Sequence, residues 1–156
     1  TSLQEGYKLI ILIFDNHGYK SIGALSRSLG QEGFATRYVY PKDGALPGDT
    51  PDATPDILPV DLAANARSLG AHVITCKSYD DVVAALGEAH AQNRTTVIYV
   101  ENDRYAGVPD YESWWDVPVA EISEMESVRQ ARAAWEEMRA KEQPFLKQPE
   151  EDAGNK

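Results

Sequence analysis

The stretch that decides the fold is "IILIFDNHGYKSIG", residues 10–23. Together with Lys8 and Leu9 it opens as an apolar, β-branched run over residues 8–14. A run that is apolar on both parities predicts a buried strand, covered on both faces, as in parallel sheets. The chain then breaks into Asp15-Asn16-His17-Gly18-Tyr19, a small polar corner. Ile22, Leu25 and Leu29 follow at helical spacing, with Gly30 as the stop. Strand, corner and helix make the first half of a β–α unit. The corner falls at the carboxyl end of a strand, where open α/β sheets bind their ligands.

Working outward, the alternation repeats. Residues 31–60 hold Pro41, Pro47, Pro51, Pro55 and Pro59 among Gly and Asp, and read as a long loop. Asp61 can cap a helix over 62–69, stopped by Gly70. His72–Cys76 reads as a second strand. Ser78 can cap a helix over 79–92 with Val82, Val83 and Leu86 on one face. "TTVIYV", residues 95–100, is a third buried strand, and an aromatic-rich loop follows over 101–122. Ser123 with Glu126 forms a capping-box pattern that opens a helix over roughly 124–141, with Val128, Ala131, Trp135 and Met138 in one stripe. "QPEEDAGNK" has the composition of a disordered tail, which we take as residues 147–156.

Strands alternating with helices predict an α/β fold, a three-layer α/β/α sandwich with a mainly parallel sheet, over residues 1–146. Three strands are few for such a sheet. "SLQEG" at the start reads as the last turn of a helix closed by Gly6, and no initiator Met precedes it. The expectation is a domain incomplete on its N-terminal side. "SRSLG" (26–30) and "ARSLG" (66–70) are alike because both fit Gly-capped helix ends.

Composition bounds the function. The chain has 156 residues, 42% hydrophobic and 26% charged, which suits one globular domain with a sizeable core. Its formal net charge of −10 argues against a general binder of nucleic acid or anionic membrane. It leaves room for a phosphorylated cofactor held by a metal or by backbone N–H groups. Cys76 is the single cysteine, so no disulfide forms within the chain. The longest apolar run, 9–14, is far too short to span a bilayer, and no basic-then-apolar leader opens the chain. The expectation is a cytoplasmic protein.

The corner is the first candidate site. The Asn16 side-chain oxygen and the Gly18 carbonyl are hard, neutral donors that suit Mg²⁺ or Ca²⁺. A plain turn, in which Asn and Gly tolerate positive φ, explains the same residues. Asp15 directly precedes Asn16, so an extended backbone points the two side chains apart. His17, His72 and His90 show no zinc-ligand spacing. Cys76 reads as a small buried hydrophobe, and Glu101 and Asp103 as solvated loop carboxylates at the sheet edge. No phosphate-binding lysine loop, dinucleotide glycine motif or catalytic triad is present, so no catalytic residue is assigned. "YESWWDVPVAEIS" (111–123) carries Tyr111, Trp114, Trp115 and Val117; it fits either a loop packed on its own domain or a subunit interface.

At these residues a resemblance enters. "LIILIFDNHGYKSIG" resembles the second half of the cofactor motif of the thiamine diphosphate-dependent enzymes, and "DLAANARSLGAHVITCKSYDDVVAALGEA" with "TTVIYVEND" is similar to the rest of their pyrophosphate-binding domain. "DNHGYKSIGALSRSLG", "FATRY", "LPVDLAANARSLGAHV" and above all "VPDYESWWDVPVAEISE" resemble, within that family, the trihydroxycyclohexane-1,2-dione hydrolases of inositol breakdown. The resemblance implies thiamine diphosphate and Mg²⁺ as cofactors, with Asn16 and Gly18 as metal ligands. It implies that Tyr19 and Ser21 pass the diphosphate and the thiazolium face. It further implies hydrolysis of a carbon–carbon bond in a cyclic dione, and a homo-oligomer with active sites between subunits. The family's motif opens with Gly-Asp-Gly, whose Asp ligates the metal, and that opening is absent here. The activating glutamate of the neighbouring domain is absent too, so this chain alone is expected to be catalytically silent. Two other readings stay open: an acetolactate synthase or decarboxylase type of the same family, and a non-catalytic interaction module.

Overall fold

The structure is a computed structural model that describes residues 1–49, 55–107 and 114–142. The proposed tail at 147–156 and Tyr111 lie outside the described residues. Elements follow in the order β1 (Ile10–Asp15), α1 (Lys20–Ser28), α2 (Leu62–Ser68), β2 (His72–Cys76), α3 (Tyr79–Ala91), β3 (Thr96–Glu101) and α4 (Glu126–Lys141). The chain divides into two units, one of Thr1–Arg27 with Glu32–Pro109, the other of Ser28–Gln31 with Asp110–Lys156.

The first unit is built on a parallel sheet in the order β1-β3-β2. β3 is central and covered on both faces over its first half: Thr96 and Ile98 are fully buried and Val97 is 4% exposed. Strand residues alternate between faces. Ile98 and Cys76 therefore share one face, where α3 seats Ala85 and Ala89 with Val82, Leu86, Ile74, Val100 and Ile10 around them. The alanines matter because they let the helix approach the sheet closely. Val83, expected on the same face as Val82 and Leu86, is instead 52% exposed.

β1 is parallel as expected, pairing Ile10 to Asp15 with Thr96 to Glu101. It is not buried. It lies at the edge of the sheet, with Ile11, Leu12 and Phe14 between 39% and 59% exposed. An apolar run on both parities specified cover for both faces, and the described residues supply it only in part.

Local signals set the helix ends. Asp61 accepts the Ala64 N–H at 2.7 Å and Ser78 accepts the Asp81 N–H at 3.2 Å. Gly30 and Gly70 take positive φ where helices stop. At the start, the Tyr7 N–H reaches the Ser2 carbonyl at 2.8 Å around Gly6 (φ +74°), the closure of a helical turn read from "SLQEG". The described part of 31–60 contains no helix or strand, only isolated bridges, among them Val39 to Ile57. Among the described residues no helix is long and apolar enough to cross a membrane.

In the second unit, α4 buries Val128 completely and half-buries Ala131, Trp135 and Met138, the stripe read from the sequence. Trp135 Nε1 donates to Asp116 at 3.0 Å, and the Arg132 guanidinium lies over the Trp135 ring at 4.6 Å. The Ser123–Glu126 capping box does not form. The helix starts at Glu126 with Met125 as an uncapped N-cap. Arg129 draws the Glu126 carboxylate along the helix at 2.6 Å, so it cannot reach back to Ser123.

Candidate functional site

β1 ends on Asp15, and the chain turns sharply through the corner. Asp15 is 4% exposed and both its oxygens are engaged, Oδ1 by the His17 N–H at 2.8 Å and Oδ2 by the Tyr99 hydroxyl at 2.8 Å. Burial first, then the Asp15 hydrogen bond and charge, push the Tyr99 phenol far above its usual range. Asp15 is thus a buried brace that ties the corner's backbone at His17 to Tyr99 of β3. His17 takes φ +57° and Gly18 takes φ +151°. The segment Thr36–Tyr38 closes over this turn: the Tyr19 N–H donates to the Thr36 carbonyl at 2.8 Å and the Tyr38 N–H to the His17 carbonyl at 2.9 Å. A Cβ on Gly18 would stand 2.2 Å from the Thr36 oxygen, so only glycine fits.

The residues singled out in the sequence fall into this frame as follows. Asn16 and Gly18 are half-buried, one on each side of the turn at His17. Tyr19 is 55% exposed and meets Tyr38 edge to face, ring centroids 5.8 Å apart. Ser21 is exposed in the first turn of α1. That helix begins at once, since the Gly23 N–H already reaches the Tyr19 carbonyl at 2.9 Å. The first N–H groups of α1 thus lie next to Asn16 and Gly18 in the chain, with the partial positive charge of a helix N-terminus. Glu101 is solvated as expected, 63% exposed, but it is the last residue of β3 rather than a loop residue, and it meets His17 Nε2 at 2.5 Å. Asp103 turns the loop by accepting the Tyr105 and Ala106 N–H groups, and those bonds lower its pKa. An open cleft of about 460 Å³ at the carboxyl ends of β2 and β3 is lined by Thr75, Lys77, Tyr99, Glu101 and Asp103.

Two residues beneath the corner were not singled out in the sequence. Asp49, 1% exposed, receives Arg104 through two bonds, Nε to Oδ1 at 2.8 Å and Nη2 to Oδ2 at 2.6 Å. Arg27 Nη1 adds a bond at 2.7 Å and the Tyr105 hydroxyl another at 2.9 Å. Burial would raise the Asp49 pKa; the bonds from Arg104, Tyr105 and Arg27 outweigh it and hold the carboxyl well below the usual range. Arg104 Nη1 also donates to the Asn16 backbone oxygen and to Asn16 Oδ1, each at 3.0 Å. No spacing rule links positions 16, 49 and 104; a buried carboxylate in a loop pattern carries no local signature.

The chemistry of the donors tests what the corner can hold. Asn16 Oδ1 has two lone pairs and gives one to Arg104. None of the described backbone hydrogen bonds ends on the Gly18 carbonyl. Two neutral oxygens with phosphate-ready N–H groups beside them fit part of a Mg²⁺–diphosphate site. They do not make a complete metal site: among the described residues no group of three or more His, Cys, Asp or Glu could hold a metal ion.

Comparison with known proteins places the chain in a family. Residues 1–100 match the family described as thiamine pyrophosphate enzyme, C-terminal TPP binding domain. Over 131 residues the chain is 35% identical to a 3D-(3,5/4)-trihydroxycyclohexane-1,2-dione hydrolase of Clostridium botulinum (strain Eklund 17B / Type B), covering 84% of this chain and 20% of the relative. A protein of the same name from Listeria monocytogenes serotype 4b (strain F2365) is 33% identical over 131 residues, covering 84% of this chain and 19% of the relative. The chain therefore spans about a fifth of the length of these curated relatives. No solved structure matches. With the family match running from the first turn through β3, the chain belongs to the thiamine pyrophosphate enzymes, within their C-terminal cofactor-binding domain.

Proposed function

We propose that this chain is the C-terminal part of a thiamine diphosphate- and Mg²⁺-dependent hydrolase. The whole enzyme cleaves the carbon–carbon bond between the two carbonyls of a trihydroxycyclohexane-1,2-dione and opens the ring to 5-deoxy-glucuronate. The observation that carries the reading is the corner at Asn16–Gly18, held at the carboxyl end of β1 inside the stretch that matches the cofactor-binding family. The printed name of the relatives supports the substrate class.

In this reading Asn16 Oδ1 and the Gly18 carbonyl are two ligands of Mg²⁺. The N-terminal turn of α1, with Tyr19 and Ser21, faces the diphosphate. The metal and these N–H groups let a chain of net charge −10 hold an anionic cofactor. When bound, the cofactor supplies a carbon nucleophile and an electron sink; the protein binds, orients and excludes. The reaction balances with water alone: the bond between the carbonyl carbons breaks, one carbon leaves as a carboxylate and the other as an aldehyde. The third ligating carboxylate and the activating glutamate come from outside these residues, so the chain alone turns over no substrate. The working enzyme is a cytoplasmic homo-oligomer with its active site between subunits. Trp115, 63% exposed, and Ile122, 91% exposed, are the side chains such an interface would cover.

The test is calorimetric titration of thiamine diphosphate with Mg²⁺ into this chain and into the protein extended upstream through Gly-Asp-Gly. Binding by the extended form alone is the expected result. Binding by neither leaves two outcomes: the partner subunit's domain is indispensable for binding, or the corner at residues 15–19 is only a turn. Turnover of pyruvate and not of the dione by the whole protein would place it with the acetolactate synthase or decarboxylase type.

A further inference from the structure

We propose that Arg104 is a positioning residue for the cofactor corner, holding the Asn16 amide oxygen in place as a metal ligand. The inference rests on the reading of Asn16 just given and adds a residue and a mechanism to it.

Every guanidinium nitrogen of Arg104 meets an acceptor. Nε and Nη2 engage Asp49, Nη2 also donates to the Thr36 carbonyl at 2.8 Å, and Nη1 takes the Asn16 backbone oxygen and Oδ1. An arginine has five such donors in a fixed plane. With all of them committed and only 6% of its surface exposed, Arg104 is a rigid template. Its two ends do different work. The Asp49 end anchors the group to the floor of the unit. The Nη1 end grips Asn16 at two points, main chain and side chain, just before the left-handed turn at His17.

The consequence for a ligand follows from amide chemistry. A free Asn side chain can rotate by half a turn and exchange oxygen for nitrogen, which removes the metal donor. Here the exchange would set Nδ2 hydrogens against the Nη1 hydrogens, so the oxygen stays where it is. One of its lone pairs remains for a cation. Residues that orient a metal ligand from behind commonly change metal affinity about 10–100-fold when replaced. Arg27 supplies an internal comparison. It bonds the same Asp49, through its backbone oxygen at 2.9 Å and Oδ2 at 2.7 Å, and its hydrogen bonds do not reach Asn16.

The experiment titrates Mg²⁺ into the full-length protein at fixed thiamine diphosphate, reading cofactor binding by calorimetry, for the wild type, Arg104→Lys, Arg104→Gln and Arg27→Lys. Lysine at 104 can keep the charge on Asp49 but cannot span both Asp49 and Asn16. The expected result is a rise of about ten-fold or more in half-saturating Mg²⁺ for both Arg104 variants, with unchanged stoichiometry. Arg27→Lys stays within about two-fold of the wild type, the outer-shell effect being absent there. Equal shifts in the Arg104 and Arg27 variants, or none in either, overturn the proposal. So does failure of both Arg104 variants to fold when Arg27→Lys folds, because Arg104 is then purely architectural. If the wild type itself binds no cofactor, the reading of the corner fails first, and this inference falls with it.

Discussion

Replacing Gly18 by Ala isolates how tightly the corner is closed. The new methyl would lie 2.2 Å from the Thr36 oxygen, 2.8 Å from Arg37 Cα and 3.0 Å from the Thr36 carbonyl carbon. All three are backbone atoms, so no side-chain rotation relieves the overlap. The segment must withdraw by about 1 Å to reach ordinary contact, taking with it the bonds from the Tyr19 N–H to Thr36 and from the Tyr38 N–H to His17. Two backbone bonds are worth about 1 kcal/mol each, and φ +151° strains any residue with a Cβ by about 1–3 kcal/mol. The expected loss is about 3–5 kcal/mol. With a urea m-value of roughly 1–3 kcal/mol/M, the unfolding midpoint falls by more than about 1 M. Gly44→Ala is the control, since Gly44 has φ +79° and an added methyl there would meet nothing within 4 Å; it should cost only about 1 kcal/mol. Equilibrium urea unfolding followed by circular dichroism reads both. A Gly18→Ala loss below about 1 kcal/mol, or one equal to that of Gly44→Ala, would refute the argument that the Thr36–Arg37 backbone seals the corner.

Further expectations concern the network, the ligand and the core. Asp49→Asn leaves the guanidiniums of Arg27 and Arg104 without their buried carboxylate and should cost about 3–5 kcal/mol in the same urea assay. Because the folded-state pKa of Asp49 lies below its unfolded value, its contribution is complete above the unfolded carboxyl pKa and is lost as pH falls below it; wild-type stability should decline with acid more steeply than that of Asp49→Asn. Asn16→Ala in the full-length protein should abolish retention of thiamine diphosphate on gel filtration, and normal retention would remove Asn16 from the metal site. Cys76, 3% exposed and with its thiol pKa raised by burial and then by the Asp81 charge, should resist alkylation in the native protein and react fully in denaturant.

Much of the fold was legible because its signals are local. Three apolar runs named the strands. Asp61, Ser78, Gly30 and Gly70 marked helix ends through side-chain caps and positive φ, neither of which depends on distant residues. The Ser123–Glu126 pattern misled because Arg129, also nearby, competes for the same carboxylate, and a motif does not record its competitors. The site was half legible. Asn16 and Gly18 stood out as oxygen donors at a strand end, and Glu101 is solvated as read, but its pairing with His17 across the parallel pair of β1 and β3 had no signal in the sequence.

The sequence by itself determined the alternation of strand and helix, the parallel sheet, the position of the polar corner and the resemblance that named its cofactor. These depend on periodicity and on short motifs, properties of neighbouring residues. Tertiary structure alone decided that β3 lies between β1 and β2, that β1 stands at the edge with Phe14 exposed, and that Asp49 and Arg104 meet beneath Asn16. The physical reason is desolvation. A carboxylate in a polar loop is at ease in water, and nothing in its neighbours says otherwise. It becomes a buried anchor only when arginines from distant parts of the chain replace its lost hydration.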